Sequence, residues 1–290
     1  MNRSRFAPIA LLVLGMLLLA GCQREDPAAH ITAGQTLYDQ GNYEQAVAEF
    51  TRAIELDAVR ADAYFRRGNA YFQLQDYDRA IGDYAHALEL DPALTDARRN
   101  LAVAFYNRGN DHLENNQAVL ALADYNRAIE LQPDYARAYV QRGLAYAAQN
   151  NDTLAAADYA QAIALDPEFA IPYNNLANIY LAQGDYAQAI TYYNRALELD
   201  PGYVIVYNNR GNAYRAQGLF DQAVADYTRA IALSPSLPQP YLSRGRIYYQ
   251  QGRQAEALAD FRAYVQIVGE AGADPEIVRL IGELAAVTGQ

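Results

Sequence analysis

Residues 170–203 read AIPYNNLANIYLAQGDYAQAITYYNRALELDPGY, and residues 204–237 read VIVYNNRGNAYRAQGLFDQAVADYTRAIALSPSL. Both segments are 34 residues long and put the same residue class at the same place: Tyr173 and Tyr207 fourth, Ala177 and Gly211 eighth, Ala189 and Ala223 twentieth, Tyr193 and Tyr227 twenty-fourth, Pro201 and Pro235 thirty-second. Extended outward, this frame accommodates 27–60, 61–94, 102–135, 136–169, 170–203, 204–237 and 238–271, and only residues 95–101 interrupt it. The eighth place is always Gly or Ala and the twentieth always Ala, which lets two helices of a unit approach closely. Gly41, Gly184, Gly218 and Gly252 stand where the first helix must end and the chain reverse. Pro92, Pro133, Pro167, Pro201 and Pro235 stand where the second helix must stop. The spacing predicts an all-α chain of seven helix hairpins.

The Gly-x₂-Tyr, Ala, Phe/Tyr, Ala, Pro spacing resembles the tetratricopeptide repeat family across residues 27–271. The resemblance implies a right-handed superhelical solenoid of seven hairpins, with a concave wall lined by the first helix of each unit. Departures fall at the ends: His30 at the usual aromatic place and Ala58 for Pro in the first unit, Tyr264 for Ala and Gly269 for Pro in the last. Terminal repeats lack one neighbour, so such drift is expected there.

Three local features carry further expectations. The seventh place, usually Leu in the family, is Arg67, Arg108, Arg142, Arg210 and Arg244; each accompanies an Asp at the twenty-third place, Asp83, Asp124, Asp158, Asp226 and Asp260. The unit with Leu176 has Tyr192 instead. The pattern predicts an Arg–Asp bridge between the two helices, the alternative being independent solvated charges. The insertion 95–101 is nearly two helical turns, so lengthening the first helix of the third unit by about 10 Å keeps its buried face within about 20°. One helix over Thr95–Glu114 is expected, against the alternative of a short surface turn. After the last unit, Asp274-Pro275 reads as a helix start, and Ile277, Ile281 and Leu284 then recur at helical spacing. Residues 272–290 are expected to cap the open end, with Glu276, Arg279 and Glu283 toward water.

The N-terminal stretch has Arg3 and Arg5 before the uncharged segment 6–21, the pattern of a cleaved secretory signal over residues 1–21. Leu19-Ala20-Gly21-Cys22 resembles the bacterial lipobox, and Cys22 is the only cysteine. The resemblance implies lipid attachment at Cys22, a short tether over 22–26, and anchoring outside the cytoplasmic membrane. Gln23, in place of an Asp, points to the outer membrane in a host that has two. A chance cysteine after an ordinary cleavage site is the alternative. Loss of the signal leaves 21 basic against 34 acidic residues and no Lys, a net charge of −13. That balance disfavours nucleic acid and anionic lipid. It leaves the lipid as the chain's contact with the membrane.

Candidate binding residues follow from the family's inner wall. The ninth place holds Asn69, Asn110, Asn178 and Asn212, and the fifth adds Asn174 and Asn208. Each amide offers donors and acceptors to the backbone of an extended peptide. The same residues could also simply be solvated. The family's carboxylate clamp needs Lys at the fifth place, and no basic residue stands there. His30, His86 and His112 lie at different repeat places, no nucleophile pairs with them, and no metal-ligand or phosphate-cradling motif occurs. No catalytic residue, metal or cofactor is assigned, and an enzyme is the disfavoured reading. The expectation is a lipid-anchored envelope scaffold that binds other proteins or extended peptides. The alternative is an assembly factor resembling pilotins and outer-membrane assembly lipoproteins.

Overall fold

The computed structural model of the chain describes residues 25–289, so the expected signal and Cys22 lie outside the described residues. Among the described residues fifteen α-helices follow one another: α1 (Pro27–Asp39), α2 (Tyr43–Leu56), α3 (Ala61–Gln73), α4 (Tyr77–Leu90), α5 (Thr95–Glu114), α6 (Ala118–Leu131), α7 (Ala136–Ala148), α8 (Asp152–Leu165), α9 (Ala170–Ala182), α10 (Tyr186–Leu199), α11 (Val204–Ala216), α12 (Phe220–Leu233), α13 (Pro238–Gln250), α14 (Gln254–Val268) and α15 (Pro275–Thr288). No strand occurs among the described residues. Two compact units divide the chain, one ending at Arg108 and the other starting at Gly109, so α5 contributes to both. In the first, α1 pairs with α2, α3 with α4, and α2 lies against α3. In the second, α7/α8, α9/α10, α11/α12 and α13/α14 are hairpins, each packed on the next.

The small eighth place serves a ring rather than a neighbouring backbone. A Cβ added at Gly68, Gly143 or Gly211 would lie 2.8, 2.6 and 2.7 Å from Cε1 of Tyr84, Tyr159 and Tyr227, the twenty-fourth-place ring of the same hairpin. These rings, with Tyr125, Tyr193, Phe50 and Phe261, are the largest fully buried side chains. The alanines at the twentieth place are sealed beside them. Each hairpin is therefore a large ring enclosed by two small residues.

Helix ends depend on the turn more than on proline. α2 stops at Leu56, with Asp57 extended (φ −147, ψ 92) and its N–H on the Ala53 carbonyl, although Ala58 follows instead of Pro. α4, which does precede Pro92, stops with nearly the same geometry at Asp91 (φ −138, ψ 93). Between the helices of a hairpin, Gly41, Gly184, Gly218 and Gly252 take positive φ as expected. Gln75, Asn116 and Asn150 hold the same left-handed conformation in the other three full turns.

Four of the expected Arg–Asp bridges are present and bidentate. Arg67, Arg142, Arg210 and Arg244 donate through Nε and Nη2 to both oxygens of Asp83, Asp158, Asp226 and Asp260 at 2.7–2.8 Å. All four carboxylates are buried. Hydrogen bonding to the carboxylate raises the guanidinium pKa of Arg67, Arg142 and Arg244 against the opposing effect of desolvation. The third arm, Nη1, reaches back to the preceding repeat: Thr51 at 3.1 Å, Asn126 at 2.7 Å, Asn194 at 2.7 Å and Thr228 at 2.8 Å. One guanidinium thus pins a hairpin internally and sets its register on its neighbour. Arg108 and Asp124 belong to different units; within its own, Arg108 donates to Asp78 at 2.6 Å, and His112 Nε2 lies 3.6 Å from Asp124.

The ends of the repeat array differ for packing reasons. Tyr264 stands where the other repeats have a fully buried Ala, and it packs with Leu258 and Phe261 against Ile277, Leu280 and Leu284 of α15. With no eighth hairpin to approach, the larger ring fills the space beneath the cap. The buried face of α15 includes Leu280, whereas Ile281 is only partly covered. At the other end Asp26 caps α1 through the Ala28 N–H at 2.9 Å, and Glu25 accepts from Arg52 Nε at 2.6 Å. The last two residues assigned to the tether are thus held by the first repeat.

Candidate functional site

The ninth-place asparagines sit on the first helix of their hairpins, within hydrogen-bond reach of the ring of the second. The hydroxyls of Tyr84, Tyr125, Tyr193 and Tyr227 donate to Oδ1 of Asn69, Asn110, Asn178 and Asn212 at 2.8, 2.9, 2.6 and 2.8 Å. Burial pushes the pKa of Tyr84, Tyr193 and Tyr227 up, which keeps these phenols protonated and donating. A second donor comes from the next helix pair: Asn100 Nδ2 reaches the Asn69 oxygen at 2.8 Å, and Asn209 Nδ2 reaches that of Asn178 at 3.1 Å. In the first repeat Arg66 Nη1 donates to Gln35 Oε1 at the same place.

An amide oxygen has two lone pairs, and both are engaged at Asn69 and Asn178. What these side chains have left for a ligand is the Nδ2 group, a donor. At Asn69 and Asn178 the amide therefore presents its donor rather than both polarities, while at Asn110 and Asn212 the tyrosine takes one lone pair of the oxygen. They are ordered donors whose orientation is fixed by a buried phenol.

Sequence reasoning overlooked Asn100 and Asn209, and the signal was available. Each lies 31 residues after the asparagine it contacts. The insertion disguises Asn100, because two added turns of α5 carry it into the sixth-place position that Asn209 occupies in its own repeat. Asn174 and Asn208, the fifth-place candidates, are placed differently. Asn174 is buried and donates to Asn175 Oδ1 at 3.1 Å; Asn208 donates to Asn209 Oδ1 at 3.4 Å. The Oδ1 atoms of Asn174 and Asn208 are enclosed, with no hydrogen-bond partner among the described residues.

Beside Asn69 the first unit has a pocket of about 240 Å³ lined by Tyr38, Phe72, Tyr84, Asn100 and Val103. The histidines make side-chain contacts of their own: His30 Nδ1 on Glu49 at 2.7 Å, His86 Nδ1 on Glu89 at 3.0 Å, His112 Nδ1 on Gln117 at 2.8 Å. Among the described residues no group of three or more His, Cys, Asp or Glu is placed to hold a metal ion. None of their helices is long and apolar enough to cross a membrane.

Family profiles described as tetratricopeptide repeat match residues 31–95, 168–236 and 208–275, and one described as TPR repeat matches 109–150 and 144–184. The chain is a tetratricopeptide repeat (TPR) protein. No curated protein matches its sequence. Among solved structures, the TPR chain is similar to the C-terminal part of a TPR repeat-containing protein from Cytophaga hutchinsonii, at 19% identity and a TM-score of 0.65, over 87% of this chain and 99% of that one. It is also similar to MamA, at 22% identity and a TM-score of 0.51, over 55% of this chain and 93% of that one. At such identities the likeness concerns the fold. The TPR frame also accounts for the small-residue places and the buried rings described above.

Proposed function

We propose that this TPR protein is a lipid-anchored scaffold of the cell envelope that binds extended peptide segments of other proteins along the first helices of its repeats. The reading rests on one observation: Asn69 in the first unit and Asn110, Asn178 and Asn212 in the second each have their oxygen fixed by a buried tyrosine. Their Nδ2 groups then stand as oriented donors, and within the second unit Asn110, Asn178 and Asn212 keep the 34-residue frame. An extended peptide offers backbone carbonyls at regular intervals and needs such donors. The role proposed is binding, carried by these donors. The lipid on Cys22 supplies the membrane attachment, and the net negative charge argues against nucleic acid as a partner.

A displayed library of random nonapeptides, selected on the full-length protein, tests the binding. Replacing Asn69, Asn110, Asn178 and Asn212 together by Asp keeps an oxygen for each tyrosine and removes each donor. Selected peptides should then bind about tenfold weaker or worse, one charge-assisted or buried hydrogen bond being worth about 1–3 kcal/mol. Undiminished affinity in a folded variant would refute the donor row. Metabolic labelling with an alkyne fatty acid tests the anchor: the native protein should take up label and Cys22→Ala should not.

A further inference from the structure

Between Asn110 and Asn178 the run of ninth-place amides is interrupted, and the interruption opens a pocket. In the fourth repeat the ninth place is Leu144, which is 37% exposed and has no oxygen to offer. The ring that would have used that oxygen is Tyr159, 2% exposed. No hydrogen bond to the Tyr159 hydroxyl is present among the described residues. The twelfth place of the same helix is Ala147, where other repeats carry Tyr38, Phe72, Leu113, Leu181, Arg215 or Tyr249. Two substitutions in one repeat thus remove both a partner and a bulky neighbour from the same spot.

The space they leave is a pocket of about 240 Å³ within the second unit, lined by Leu144, Ala147, Tyr159, Asn178, Ile179 and Ala182. A dry apolar cavity of about 150 Å³ holds benzene, so this one has room for a full aliphatic or phenyl side chain. Its polar rim is rich in donors. The Asn178 oxygen already accepts from Tyr193 and Asn209, which leaves Nδ2; Asn175, also on the lining, accepts once from Asn174 and has its own Nδ2 to offer. With the Tyr159 hydroxyl, three donors surround an apolar floor. Asp152 at the edge repels an anionic group. The fitting ligand therefore combines an apolar side chain with neutral acceptors, which is a hydrophobic residue flanked by its own backbone carbonyls.

We propose that the pocket between the fourth and fifth repeats is the anchor subsite of this protein, taking one large apolar side chain of an extended partner peptide while Tyr159 and Asn178 bind the adjoining carbonyls. The proposal rests on the peptide-binding reading above and adds the position and chemistry of its specificity. Capped peptides from the same nonapeptide selection are the probe, with fluorescence anisotropy as the measurement. Their consensus should hold one position restricted to Leu, Ile, Met or Phe. Ala147→Phe fills the pocket and should weaken binding at least about tenfold, the equivalent of one buried apolar side chain. Leu144→Asn rebuilds the Tyr–Asn bond of the other repeats, so folding is not at risk, and it should weaken the same peptides. Replacing the anchor residue by Ala should cost native protein much and Ala147→Phe little. Peptides weakened by Asn110→Asp and Asn212→Asp but indifferent to Ala147→Phe and Leu144→Asn would overturn the subsite and leave the donor row standing. Selection of no peptide at all would overturn both.

Discussion

Gln75, with φ 59, occupies a turn position that Gly41, Gly184, Gly218 and Gly252 fill elsewhere. A left-handed conformation costs an ordinary residue about 1–2 kcal/mol, and glycine's extra unfolded entropy returns about 0.5–1 kcal/mol of that. Gln75→Gly is therefore expected to raise stability by about 0.5–1 kcal/mol, seen as a higher urea midpoint at unchanged slope. Asn116→Gly and Asn150→Gly should gain less, since Asn tolerates this region. The Arg–Asp bridges give a larger and opposite effect. Arg210→Ala strands the buried carboxylate of Asp226 and should cost about 3–5 kcal/mol. The fifth repeat shows how to remove the charges without that penalty: Leu176 with Tyr192, preceded by Ala160. Transplanting it as Arg210→Leu, Asp226→Tyr and Asn194→Ala should return stability to within about 1.5 kcal/mol of native in the same measurement. The pairing was legible because Arg and Asp rise and fall together among the repeats. Its third arm was equally legible, since Thr51, Asn126, Asn194 and Thr228 precede each bridging Arg while Ala160 precedes Leu176, but that correlation runs between units rather than within one.

At the scale of the element, α5 and α15 answer different problems. In α5 the residues of the insertion form the opening turns of a single helix, because seven residues return a helix nearly to its starting face. That is arithmetic on a sequence. In α15 the periodicity identified a cap and most of its face: Ile277 and Leu284 are buried as expected, Leu280 joins them, and Ile281 packs on the same cluster half covered. An i, i+3, i+7 stripe and an i, i+4, i+7 stripe both suit an amphipathic helix. Only the shape of Tyr264 and Phe261 beneath it chooses between them. Ile277→Ala and Leu284→Ala should each cost about 2–5 kcal/mol of local stability, and Ile281→Ala clearly less. Hydrogen exchange would read this as earlier loss of amide protection in α13 and α14, with the other hairpins of the unit following more slowly.

For the molecule as a whole, stability should fail at high pH through its buried phenols. Burial holds the pKa of Tyr84, Tyr159, Tyr193 and Tyr227 above the ordinary value of 10.0, so these groups stay protonated in the fold while the unfolded chain ionises them. The stabilisation is complete below about pH 10 and falls above it, by about 1.4 kcal/mol per pH unit for each such tyrosine. Circular dichroism and tyrosinate absorbance should therefore change together in one alkaline transition, and Tyr227→Phe should move it upward. Ionisation of the buried tyrosines without unfolding would contradict the assignment. The sequence by itself determined the hairpins, their number, the small-residue places and four of the charge pairs, because all of these recur at a fixed period and repetition turns spacing into contact. Only the tertiary structure decided which half of the Asn69 and Asn178 amides is available, that Tyr159 lacks the partner its counterparts have, and where a pocket opens, since these depend on side chains from successive repeats meeting at one point.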